Sequence, residues 1–180
     1  MNDLIKIDSG SQELELSNKK FDLELRFAEK LSKTQFVPKA YQGKPDDCFA
    51  AIHFGGSLGF DPIQSCQNIN VINGKPGLSS QALIALCIRF SSKAPVFERE
   101  TGKDGLVYAV SCTWERDGRT TTKRFSLDDA KRAGIAGNTG WKNYPENMLE
   151  WRSAAFAARL AFPDVLAGLY TLEELGDITV

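Results

Sequence analysis

The sequence predicts an α+β fold, with a small antiparallel sheet packed with helices. Three observations predict it. Asn73-Gly74 and Asp117-Gly118 are two-residue hairpin signals, each beside segments rich in β-formers or alternating in polarity. Apolar residues recur at helical spacing both before and after those hairpins. The elements also come in runs, helices then strands then helices, rather than as alternating βαβ units.

Residues 1–18 are polar and carry no sustained period, so they are expected to form a flexible N-terminal segment. One domain is expected over 19–180, closing in a short acidic tail. A first helix is expected from Lys20 to Ser32, where Phe21, Leu25, Ala28 and Leu31 recur at helical spacing. Pro45-Asp46-Asp47 starts a second helix, with acids near the positive end of its dipole, and Gly59 stops it. Asp61-Pro62 opens a short turn ending near Cys66. Ile69–Ile72 reads as a strand that turns at Asn73-Gly74 into Lys75–Leu78, and Ser79 or Ser80 caps a helix to Phe90. Strands follow over Val96–Glu100, Leu106–Glu115 and Thr120–Phe125. Ser126 caps a helix over Leu127–Arg132, and Gly134 to Gly140 reads as a glycine-spaced loop. Pro145 lies in the first turn of a long helix that Pro163 ends.

A chain of 180 residues suits one domain with a real core. No apolar run reaches the ~20 residues that span a bilayer, and the N-terminus lacks a signal pattern. A cytoplasmic protein with no membrane partner is expected. Cys48, Cys66, Cys87 and Cys112 are scattered without a CxxC and read as buried free thiols. With His53 as the one histidine, no metal site and no cofactor are expected.

The net charge is −1, but unevenly spread. From Arg116 to Arg159 nine basic residues face five acids, and from Leu160 onward there are four acids and no base. A basic body with an acidic end suits a polyanion partner.

Gly134, Gly137 and Gly140 form a GxxGxxG run, but no Walker loop occurs and no strand leads into a dinucleotide fingerprint. The run is either a plain connection or a loop whose amides touch phosphates. His53 lies in an apolar helical stretch and is expected to pack with one hydrogen bond. No nucleophile motif or clustered carboxylate site accompanies it, so an enzyme such as a nuclease is not expected. The strand pair Tyr108–Phe125 carries Trp114, Arg116, Arg119, Lys123 and Arg124, which suits a nucleic-acid surface or an ordinary solvated hairpin.

Sharper is the pair Arg152 and Arg159. They stand seven residues apart in an alanine-rich run, on nearly the same side of a helix, beside Leu149, Phe156 and Leu160. Charges so placed must be paired internally or must face a groove that receives an anion.

The block Trp141, Tyr144, Pro145, Met148, Leu149, Arg152, Ala158-Arg159-Leu160-Ala161-Phe162, Gly168, Tyr170 and Glu173-Glu174 resembles the RecT and Red-beta group of phage single-strand annealing proteins. Leu58-Gly59-Phe60-Asp61-Pro62, then Ile69 to Pro76, is similar to that family's upstream segment, as is Asp129 to Gly134. The resemblance implies an ATP-independent, non-enzymatic protein that coats single-stranded DNA and anneals complementary strands through a duplex intermediate. It implies a distantly Rad52-like core and homo-oligomers, as rings or helical filaments. A phage exonuclease and a host single-strand binding protein are implied as partners, through a C-terminal module for which this chain leaves little room. The DNA-binding residues implied or suggested are Arg152, Arg159, Lys142 and Trp141, followed by Lys131, Arg132, Lys123 and Arg124. Relatives carry further basic residues where this chain has Glu146, Asn147 and Glu150. The alternative is a non-enzymatic assembly or adaptor protein of the same fold, acting through protein contacts.

Overall fold

The computed structural model describes residues 9–178. They divide into two compact units, Met1–Gln67 and Asn68–Val180, where the sequence was read as one domain from residue 19. The architecture is α+β, with helices packed against small sheets. Among the described residues no helix is long and apolar enough to cross a membrane.

The first unit is helical. Its α1 (Ser9–Leu31) pairs with α2 (Pro45–Ser57), and α3 (Pro62–Asn68) follows. Helix α1 begins well before Lys20, which corrects the expectation that residues 9–18 lack regular structure; residues 1–8 lie outside the described residues. Leu14 and Leu16 are exposed, so this stretch needs no apolar stripe, and its Glu, Gln, Leu and Lys are strong helix formers. The core forms where Ala28 and Leu31 meet Cys48, Ala51 and Ile52, joined by Val37, Tyr41 and Cys66. Phe21 sets its ring edge on Phe49 at 4.7 Å. His53 is not packed inside as expected; its side chain is exposed, stacks on Phe49 at 6.0 Å and has Nδ1 3.3 Å from Glu24.

In the second unit β1 (Ile69–Ile72) and β2 (Lys75–Leu78) form the expected hairpin, with Ile69 opposite Leu78. Its turn puts Asn73 and Gly74 at φ 52° and 74°, the left-handed region that Asn-Gly tolerates. A two-residue strand, β6 (Tyr170–Thr171), adds parallel to β2. Helix α9 (Leu172–Ile178) then lies so close to β2 that a Cβ on Gly77 would sit 2.6 Å from Leu175 Cδ1. Ser79 caps α4 (Ser80–Ile88) by accepting from the Ala82 amide.

The second sheet has the order β3 (Val96–Thr101), β4 (Val107–Arg116), β5 (Arg119–Ser126), all antiparallel. The two three-stranded sheets correct the expectation of one. Val110, Cys112 and Trp114 alternate onto the buried face of β4. Ser126 and Asp129 form a capping box at the start of α5 (Leu127–Arg132). The glycine-spaced loop is shorter than expected, because α6 (Thr139–Asn143) starts within it. Helix α7 (Pro145–Ala161) covers the sheet, with Ala154, Ala155, Ala157 and Ala158 all buried, and α8 (Pro163–Leu166) follows Phe162. Four alanines on one helix let flanking backbones approach closely on more than one side.

Cys48, Cys66, Cys87 and Cys112 are buried free thiols. Burial pushes Cys66, Cys87 and Cys112 up to about 12, which keeps them protonated and unreactive.

Candidate nucleic-acid interface

Helix α7 has two opposed electrostatic edges. Its acids Glu146 and Glu150 turn toward β3, where Arg99 binds both. Its cations Arg152 and Arg159 turn the other way, toward Phe125 on β5 and toward α9. The sequence order Glu-x-x-x-Glu-x-Arg dictates this split, since residues 146 and 150 stack while 152 and 159 lie across the axis.

Arg152 and Arg159 converge on one carboxylate. Arg159 holds Glu174 with both terminal nitrogens, and Arg152 Nη1 lies 3.4 Å from the same side chain. Of the two arrangements that the sequence leaves open, internal pairing is the one seen: both guanidiniums are bridged by Glu174. Glu174 is 2% exposed and Arg152 8%, so that bridge is dry. Burial alone would raise the Glu174 pKa, but the Arg159 bonds, the Thr171 amide and the charge of Arg152 outweigh it and hold the pKa below the ordinary 4.5.

Glu174 is placed by its own backbone. The Thr171 amide donates to its carboxylate at 3.0 Å, and the Glu174 amide donates back to Thr171 Oγ1 at 3.2 Å. This reciprocal pair is a capping box at the start of α9. Sequence reasoning assigned Glu174 to an acidic tail and missed its role; the spacing Thr171-x-x-Glu174 was the available signal. Glu173 also anchors the helix, accepting from Ser80 Oγ at 2.8 Å.

Arg159 also meets two aromatic rings. Arg159 Cζ lies 5.2 Å from the Phe156 ring and 5.4 Å from that of Tyr170, a residue 38% exposed. The site is thus a cation between two rings, one of them open to solvent.

The other sequence candidates scatter. Trp141 is 3% exposed, packs on Phe125 at 5.8 Å and leaves Nε1 without a hydrogen-bond partner. It is a core residue and cannot stack on a base. Lys142 is exposed one residue on. Arg124 is held by Glu100 at 2.6 and 3.0 Å, on the sheet face away from Cys112 and Trp114. Lys131 pairs with Asp128 at 3.0 Å, and Arg132 with Asp129. Trp114, read as part of a basic-aromatic strand surface, is fully buried against Phe162. Lys123 and Arg119 are exposed on β5 and make no ion pair among the described residues. Both stand in register with residues on the α7 side of the sheet, Cys112 for Lys123 and Arg116 for Arg119.

Among the described residues no group of three or more His, Cys, Asp or Glu side chains is placed to hold a metal ion. Comparisons with protein-family models, with curated proteins and with solved structures give no match for this chain.

Proposed function

We propose that this protein binds single-stranded DNA and anneals complementary strands, as a homo-oligomer built on a Rad52-like core. The observation that carries it is the Arg159 guanidinium between the rings of Phe156 and Tyr170, the latter 38% exposed. Single-strand binding without sequence preference needs just these two things, a cation for phosphate and a ring face for a base. The sequence block from Trp141 to Tyr170, similar to phage annealing proteins, supports the same assignment.

Annealing makes and breaks no covalent bond, so the protein must neutralise phosphates and leave base edges free to pair. Arg159 suits this because Glu174 fixes its guanidinium plane beside the exposed Tyr170 ring, lowering the entropy lost on binding. Arg152 then acts by holding Glu174 rather than by touching DNA. Several subunits along one strand would turn a weak site into a stable coat. A phage exonuclease and a host single-strand binding protein are the partners that such a reaction sequence would supply.

The test is fluorescence anisotropy with a labelled oligothymidylate, followed by annealing of two complementary labelled strands. Wild type binds and anneals at low salt. Tyr170→Ala, a change at an exposed ring, weakens binding by about 1–3 kcal/mol, the worth of one stacked base. Absence of wild-type binding at low salt would refute the proposal.

A further inference from the structure

We infer that the cleft between β5 and the last turn of α7 seats one nucleotide of the bound strand, with Arg119 as its phosphate contact. The inference rests on the proposed single-strand binding and adds a subsite, lined by β5 and the end of α7, that the family resemblance does not single out.

The cleft is an open cavity of about 510 Å³, within the range of small-molecule sites. Arg119 and Thr121 of β5 line one wall; Leu160 and Ala161 of α7, with Pro163 beyond, line the other. Leu160 is 60% exposed, so an apolar wall for a base or sugar already stands open. Thr121 adds a hydroxyl-bearing side chain to the β5 wall.

Two arginines and two aspartates border the cleft, so it is neutral as a whole. The charges are nonetheless sorted. Arg116 binds Asp164 with both terminal nitrogens, at 2.6 and 2.8 Å, and also donates to the Ala161 carbonyl at 3.2 Å. Its guanidinium lies over the Phe162 ring at 5.2 Å, and Asp117 approaches its Nε at 3.6 Å. Both acids are thus gathered on Arg116, which serves as the tie between the hairpin and the end of α7. Arg119 is left without an ion-pair partner among the described residues, in the lining of a cleft with an apolar wall. A guanidinium fork in that position matches a phosphodiester and leaves the attached base or sugar to lie on Leu160.

The cleft also continues a path. Arg119, Thr121 and Lys123 alternate onto one face of β5, and Arg119 to Lys123 is about 13 Å at strand rise. On the α7 side, Leu160 follows Arg159 and stands one turn from Phe156. A strand entering at Arg119 would run along the β5 edge, with Lys123 meeting a phosphate further on.

Anisotropy titrations of wild type, Arg119→Ala, Leu160→Glu and the turn control Lys103→Ala, each over a salt series, decide it. Both cleft substitutions fall on exposed side chains, and thermal melts confirm that each variant folds. Arg119→Ala is expected to lower affinity about 3- to 10-fold and to flatten the log–log salt slope by about 0.7, the share of one phosphate. Leu160→Glu places a carboxylate on the wall and lowers affinity about 10-fold or more, while Lys103→Ala matches wild type. If wild type binds and both cleft variants keep its affinity and slope, the cleft is not a subsite and single-strand binding survives. If wild type itself fails to bind, both fall together.

Discussion

Glu174 does at the residue scale what no neighbouring side chain could. One buried carboxylate serves two guanidiniums and its own helix cap, so its removal takes an acceptor from two arginines and an amide at once. Glu174→Gln should therefore cost about 3–5 kcal/mol, the usual loss when a buried pair is broken, read as a fall in Tm. The same geometry sets a pH response. The folded pKa of Glu174 is depressed, so its stabilisation is complete above the ordinary 4.5 and is lost as pH falls through the folded value. Acid melts of wild type should steepen below that point, and the Gln variant should lack this component. Trp141 gives a contrasting expectation. Its indole is buried with an unpartnered Nε1, so Trp141→Phe deletes a polar group that nothing satisfies. DNA affinity should stay within about twofold, because an indole closed off from solvent cannot reach a base. A large loss of affinity in a stably folded variant would place the ring at the DNA after all.

At the scale of elements, α7 is the organiser. It is pressed against β4 and β5 on one side and α4 on another, which its buried alanines permit. Ala158→Leu should cost about 1–3 kcal/mol by overpacking, measured by denaturant midpoint. The capping box at α5 is a smaller and separable contribution. Ser126→Ala removes the acceptor for the Asp129 amide and should cost about 1 kcal/mol. The N-terminal boundary of α1 teaches a different lesson. Residues 9–18 lack an apolar period, yet a helix exposed on most sides needs none. Strand β6 left no trace in the pattern because two residues cannot show alternation.

For the molecule as a whole, the charge is −1, so any affinity for DNA must come from local placement of cations rather than from the global field. With Arg119, Lys123 and Arg159 as the phosphate contacts, the logarithm of affinity should fall with the logarithm of salt at a slope of about −2. A slope near zero in the same titration would exclude phosphate neutralisation as the driving force. Many of the predicted cations already have acidic partners at the surface: Arg116 has Asp164, Arg124 has Glu100, Arg132 has Asp129. Counting basic residues along the chain therefore overstates the charge available to a partner.

The sequence by itself determined the elements that local chemistry specifies: both hairpins from their Asn-Gly and Asp-Gly turns, the Ser126 cap, and α7 from Pro145 to Ala161. It also singled out Arg152 and Arg159, because guanidiniums in an alanine-rich helix demand a partner. Which partner they take was decided only in three dimensions. The carboxylate of Glu174 arrives through a turn, a two-residue parallel strand and a new helix. Such long-range pairing depends on where whole elements pack, and no local spacing encodes it.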